Sequence, residues 1–198
     1  MLPLEISCLS GSHCTGKTSI LRALEKEFSK DRYLVVSESN TTDIKTLQNI
    51  DRLSIQLMIL MREQSTLLEL LIKYSGSSSR TILKDRGALD TLIYSEYFKL
   101  RGLITEEQYR LIESACSEII NQYKYIFITT TEHIPFIERE KYSMDEQSRI
   151  ELNSLFVAYY ENRLTTMKPT LALLNQPTLE GRVSIIKSLI FKTYGHNN

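Results

Sequence analysis

Charge of one sign is what this sequence lacks first: 24 Lys+Arg balance 24 Asp+Glu over 198 residues. A domain that holds nucleic acid through its phosphates carries a basic excess, so this balance argues against a nucleic-acid partner. Long apolar runs are missing too. The longest is Leu155 to Tyr160, against roughly 20 residues for a bilayer span. The first residues, Met1-Leu-Pro-Leu-Glu-Ile, lack the basic and apolar regions of a signal peptide. Cysteine is scarce. Cys8, Cys14 and Cys116 form an odd set without CxxC spacing, which excludes a disulfide framework and points to a reducing, cytoplasmic location. His13, His133 and His196 share no ligand spacing with them, so no structural zinc site is expected. The tyrosines are scattered and form no RNA-stacking pattern.

What is present suffices for a core. The composition is 42% hydrophobic and 24% charged, ordinary for a soluble globular chain, and the length fits one compact domain over residues 1–198. Leu4 to Leu9 reads as a buried strand ending at Ser10-Gly11, and Lys17 to Lys30 as a helix with Ile20, Leu21, Leu24 and Phe28 on one face. Tyr33 to Val36 reads as a second strand. Leu47 to Tyr74 is a long helical stretch without Gly or Pro. Its apolar residues nearly encircle the axis, which predicts a largely buried helix. Thr81 to Asp85 is a third strand, followed by a helix from Ala88 to Leu100. A further helix opens at Thr105, where Thr105-Glu-Glu-Gln108 has the capping-box pattern. Tyr123 to Thr129 is the fourth strand, Asp145 to Met167 a helix, Leu171 to Leu174 a weaker fifth strand and Leu179 to Phe191 the last helix. Strands alternating with helices give a three-layer α/β/α fold around a parallel, five-stranded sheet.

Gly11-Ser-His-Cys-Thr-Gly16-Lys17-Thr18 fits G-x-x-x-x-G-K-[ST] completely, between a strand and an amphipathic helix. The glycines let the backbone wrap closely around phosphates, and N–H groups converge at the helix N-terminus. Gly11, Ser12, His13, Cys14, Thr15, Gly16, Lys17, Thr18 and Ser19 therefore form a phosphate-binding loop. Lys17 reaches the terminal phosphates and has no expected packing role in the empty loop; Thr18 is a Mg²⁺ ligand. The nucleotide expected is ATP with Mg²⁺. No Asn-Lys-x-Asp guanine motif and no Ser-Gly-Gly-Gln transporter motif occurs, and Asp85-Arg-Gly-Ala88 misses the D-x-x-G switch. What remains is the small-molecule kinases.

Three further features fit that group. Glu38 follows the second strand at the carboxyl edge of the sheet, where a carboxylate can take the proton of an attacking hydroxyl. Asp85 and Arg86 end the third strand on the same edge. Asp85 can organise Mg²⁺, and the planar fork of Arg86 can hold phosphate or acceptor. Arg139 and Lys141 lie in a charged segment after the fourth strand, a lid at about residues 136–146. Arg52, Gln56, Arg62 and Glu63 punctuate the long helix and read as polar residues at its exposed rim; a resemblance to nucleoside kinases, in which this helix lines the acceptor pocket, would instead imply that Gln56 reads a base edge. Cys14 reads as a small filler of the loop and Arg182 as a surface arginine.

Taken together, the loop, the Glu after the second strand and Leu83-Lys-Asp-Arg-Gly-Ala-Leu-Asp-Thr-Leu-Ile-Tyr94 resemble the AAA-type ATPase/kinase domain of ribosylnicotinamide kinases of the NadR type and their relatives. The similarity extends to deoxynucleoside and thymidylate kinases, whose third strand ends in a comparable acid–arginine pair. The resemblance implies a nucleoside-kinase-like fold with the loop strand central, ATP and Mg²⁺ as cofactors, and a lid. Glu38 matches the base position loosely, since Glu38-Ser-Asn-Thr replaces the usual Glu-Pro or Glu-x-x-Arg. Two activities stay open: an ATP-dependent kinase for a nucleoside- or nucleotide-like acceptor, which is the reading adopted, and a regulatory ATP/GTP-binding switch with slow hydrolysis and a protein partner. A polynucleotide kinase is disfavoured by the neutral charge. No membrane partner is expected, and a homodimer is left open.

Overall fold

The structure, a computed structural model, describes residues 4–28, 33–36, 50–74, 81–136, 145–163 and 168–192. Five strands, β1 (Glu5–Ser10), β2 (Tyr33–Val36), β3 (Thr81–Asp85), β4 (Tyr125–Thr129) and β5 (Thr170–Leu174), form one sheet in the order β2-β3-β1-β4-β5. Every pairing is parallel. The loop-bearing strand β1 is central. Side chains alternate across the sheet, as the two-residue period of a strand requires. Ile6, Cys8, Ile82, Ile126 and Ile128 enter one core; Leu9, Leu83 and Phe127 enter the other.

Helices fill both faces. The first core is closed by α2 (Arg52–Tyr74), α3 (Ala88–Leu100), α4 (Glu106–Ile120) and α5 (Glu146–Arg163); the second by α1 (Lys17–Glu27) and α6 (Leu179–Lys192). Parallel strands need such crossover helices, so the sheet is covered on both sides. The capping box expected at α4 is present: the Thr105 hydroxyl accepts from Gln108 N at 3.2 Å, and Gln108 Oε1 accepts from Thr105 N at 2.8 Å. No helix among the described residues is long and apolar enough to cross a membrane.

Three elements depart from the sequence reading. α1 stops at Glu27, with Phe28 in extended conformation at its C-cap. Phe28 stacks on Tyr33 at 4.5 Å and meets Phe191 at 5.6 Å, so an aromatic cluster ends the helix early. β4 begins at Tyr125, because Tyr123 N bonds Ile120 O at 3.1 Å in the turn that leaves α4. The larger correction concerns α2. Its inward face is buried, but Met58, Ile59, Met61, Leu68, Leu71 and Ile72 are exposed. Its apolar residues encircle the axis without being buried on all sides.

Candidate active site

At the carboxyl end of β1 the chain turns through Gly11, with φ 142°, and enters α1 through Gly16, with φ 84°. Both lie in the region that disfavours side chains. A Cβ on Gly11 would fall 2.3 Å from Thr129 Oγ1 and 2.6 Å from Thr129 O, so only glycine lets the loop sit against the end of β4. Between them Cys14 also has positive φ, 53°. Thr15 is the inner anchor. Its hydroxyl lies 2.6 Å from that of Thr129 and 3.0 Å from Ser12 O, and Thr129 Oγ1 donates to Ser10 O at 3.0 Å. The loop is thus fastened to two neighbouring strands.

Lys17, the first residue of α1, is buried and donates to Gly11 O at 2.8 Å and Ser12 O at 2.6 Å. This corrects the expectation that it has no packing role: the ammonium closes the loop on itself. Thr18 and Ser19, in the first turn of the helix, are exposed. His13 is buried, with its ring edge-on to Phe136 at 6.3 Å. Its pKa is pushed below the usual histidine value by burial first and then by the charges of Lys17, Arg86 and Arg149, against a backbone hydrogen bond at Asp145.

The acid–arginine pair lies beside this loop. Asp85, half-buried at the end of β3, is in register with Leu9, and Arg86 N bonds Leu9 O at 2.8 Å. Arg86 has φ 63°, a costly conformation for a non-glycine residue, of order 1 kcal/mol or more. Its guanidinium is held by Asp90 at 3.1 Å and lies 5.9 Å over the Tyr94 ring. Asp90 is a residue the sequence reading passed over. It is 5% exposed, accepts from Gly11 N at 3.4 Å and Gly87 N at 3.2 Å, and so joins the phosphate loop, the start of α3 and Arg86. The signal was in the sequence: Asp90 stands at the third position of a helix and four residues from Arg86.

Other charged residues turn out to be internal. Arg182, read as a surface arginine, is 2% exposed. It donates to Gln176 O at 2.7 Å and Glu132 O at 2.8 Å, and lies 3.4 Å from the carbonyls of Thr15 and Thr130. It therefore ties the phosphate loop to the segments that follow β4 and β5. Arg149 of α5 is also buried, donating to Ile134 O at 2.5 Å with its guanidinium 5.8 Å over Phe136. Burial lowers the pKa of both guanidinium groups.

On α2, Arg52 and Arg62 are at the exposed rim as expected, but Gln56 is buried and Glu63 accepts from Lys84 and from the Tyr123 hydroxyl. This polar cluster links α2 to β3 one residue before Asp85. Glu38, Arg139, Lys141 and the segment 137–144 lie outside the described residues. A cavity of about 210 Å³ lined by Glu25, Phe28, Tyr33, Leu34 and Val35 lies at the β2 edge, none of its residues belonging to this site.

The AAA domain family matches residues 7–167 of the chain. No curated protein matches its sequence significantly. Among solved structures, deoxyadenosine kinase from M. mycoides with its products dCMP and dCDP superposes with a TM-score of 0.71 at 12% identity, covering 94% of this chain and 99% of that chain. Its dATP-bound form gives 0.65 at 13% identity, with the same coverage of both chains. Thymidylate kinase from Ehrlichia chaffeensis gives 0.63 at 15%, again covering 94% of this chain and 99% of that chain. At such identities the likeness speaks for the fold. The chain belongs to the AAA domain family and has the fold of a P-loop nucleoside-kinase-like NTPase.

Proposed function

We propose that the protein is an ATP- and Mg²⁺-dependent phosphotransferase acting on a nucleoside- or nucleotide-like small molecule. The observation that carries this reading is the junction of loop and acid–arginine pair: Asp85 in register with Leu9, and Asp90 bonded to both Gly11 and Arg86. The residues present suit the cofactors. A close-wrapped loop with Lys17 at its mouth fits a triphosphate, and the oxygen donors Thr18 and Asp85 fit a hard cation that keeps most of its shell from water and phosphate. Bound ATP supplies the transferable phosphoryl group.

The chain's own groups then divide the work. Lys17 is freed from the loop carbonyls to meet the β- and γ-phosphates. Asp85 and Thr18 would hold Mg²⁺, while Arg86, fixed in orientation by Asp90, would offer charge to the acceptor or the transferring group. Glu38 acts as general base. Val36 pairs with Lys84, which brings the end of β2 level with the residue before Asp85 and supports this role. Arg139 contributes from the segment after β4, whose flanking residues Phe136 and Arg149 meet beside His13.

The test is a panel of nucleosides and nucleotides with MgATP, read by thermal shift and by ADP release. An acceptor that both stabilises the protein and releases stoichiometric ADP is expected. A ligand at 100 times its Kd adds roughly 2.7 kcal/mol, an easily measured shift. ADP release at one slow rate, indifferent to every acceptor, would overturn the reading.

A further inference from the structure

Glu63 carries a charge from α2 into the fold. Its carboxylate takes one donor on each oxygen: Lys84 Nζ, from β3, on Oε2 and the Tyr123 hydroxyl, from the turn before β4, on Oε1. The Lys84 and Glu63 side chains are 6% and 12% exposed, and Tyr123 is 2% exposed. Burial first, then the neighbouring Cys8 and Glu63, hold the Tyr123 phenol pKa well above its ordinary value, so the hydroxyl stays a donor. An ion pair withdrawn from water is a poor source of stability. Desolvation offsets most of the attraction, and an apolar pair of similar volume is often as stable or more so. What such a pair adds is direction. The place of this one in the fold shows what is being directed. Along β3 successive side chains take opposite faces, so Lys84 follows Ile82 toward α2 while Asp85 follows Leu83 toward the core closed by α1 and α6. Gly87 then rests on the same cluster: a Cβ there would fall 2.9 Å from both the Tyr123 hydroxyl oxygen and Cys8 Sγ. Between Lys84 and Gly87 stands Arg86, with its φ of 63°. A strained residue persists only where its surroundings over-determine it. Asp90 fixes the Arg86 guanidinium, and the cluster grips the backbone on either side, through Lys84 before it and Gly87 after it.

We propose that Glu63 is a positioning residue: through Lys84 and Tyr123 it seats the strained turn Asp85-Arg86-Gly87 and so sets the acid–arginine pair in its working position beside the phosphate loop. The turn carries its own reporter. The Arg86 amide donates to Leu9 O at 2.8 Å, which ties the end of β3 to the strand that enters the loop. Removing the grip of Glu63 frees the turn to relax Arg86 and loosens that bond, with no contact between Glu63 and the loop itself. The consequence for turnover rests on the phosphotransfer reading; the seating of the turn does not.

Amide hydrogen exchange and steady-state kinetics on the full chain test it. In Glu63→Leu/Lys84→Met the ion pair becomes an apolar pair, so urea unfolding should show the stability of the wild type or better. The Arg86 amide should nevertheless exchange at least about tenfold faster, with the amides of β1 and β4 unchanged. With MgATP and an acceptor, kcat should fall by about 10- to 100-fold while the Kd for MgATP stays at the wild-type value, as misplacement of a working group does. Tyr123→Phe removes one donor and no charge, and should show the same pattern more weakly. Wild-type exchange at Arg86 in the stable double variant would overturn the proposal, as would an unchanged kcat. So would a loss of protection spread evenly over the core amides, the mark of a merely structural pair. If the double variant does not fold, Tyr123→Phe decides by the same readouts. If the wild type transfers phosphate to no acceptor, the phosphotransfer reading fails and exchange at Arg86 alone decides the proposal.

Discussion

Loss of Asp90 should loosen the site, and the structure gives the magnitude. Its carboxylate takes three donors: Arg86 Nη1 at 3.1 Å, Gly87 N at 3.2 Å and Gly11 N at 3.4 Å. Hydrogen bonds to charged groups contribute about 1.5–3 kcal/mol each when short and buried. These are long, and Arg86 keeps 24% of its side chain in solvent, so about 1 kcal/mol each is the better figure. Asp90→Ala should therefore cost about 3 kcal/mol and leave the Gly11 and Gly87 amides without their acceptor. For a chain of this size that is a drop of about 6–12 °C in melting temperature. Asp90→Asn keeps one acceptor oxygen and should cost about half as much. Arg86→Met should cost only its own share. The double variant Asp90→Asn/Arg86→Met should then fall short of the sum, because both residues act through one contact. Differential scanning calorimetry of the wild type and the four variants reads all of this. An Asp90→Ala variant that melts with the wild type, or strict additivity in the cycle, would refute the argument.

Four other changes follow from the same contacts. Lys17→Met should abolish the thermal shift given by MgATP and lower the stability of the free protein by only about 1–2 kcal/mol, since two loop carbonyls lose one donor; a wild-type nucleotide shift would remove the phosphate-loop reading. Asp85→Asn should raise the Mg²⁺ concentration needed for turnover far more than the Kd for nucleotide, as measured by Mg²⁺ titration and calorimetry. Arg182→Met, which strips the carbonyls of Gln176, Glu132, Thr15 and Thr130 of a shared donor, should cost about 3 kcal/mol in urea unfolding and weaken nucleotide binding as well. For His13 the folded-state pKa lies below the ordinary 6.5, so the unfolded chain binds more protons at mildly acid pH. The stability tied to its neutral ring is present above 6.5 and lost as pH falls through the depressed value, so His13→Gln should flatten the unfolding free energy as pH falls below 6.5; an unchanged slope would contradict it.

The order and type of every element were legible because each local signal agreed with the fold. The short apolar runs of the strands, the Thr105–Gln108 box and the glycine-bounded loop all depend on neighbours in sequence. The loop motif carries its own physics, and Gly11 and Gly16 have the positive φ angles that made them glycine. What escaped the reading depends on distant partners. Arg182 and Arg149 look like surface cations until carbonyls from separate segments converge on them. Glu63 looks like a rim acid until Lys84 and Tyr123 reach it from a strand and a turn. Composition favours the surface for such residues, and only tertiary contact reverses that expectation.

The misreading of α2 has a different physical origin. An apolar residue favours withdrawal from water but does not by itself show which part of the fold, if any, covers it. Leu60, Leu67 and Leu70 are covered by the chain's own core, whereas Met61, Leu68 and Ile72 stand exposed. A sequence count treats the two sets alike and predicts a helix buried on all sides. The distinction lies in the surroundings: the inner set is interrupted by the polar Gln56 and Glu63, both withdrawn from solvent, while the outer set is flanked by the exposed Arg62 and Glu69. A core-facing stripe tolerates such interruptions where a partner such as Lys84 satisfies them. The two faces of α2 therefore differ in their cover: one is closed by the chain's own core and the other is exposed.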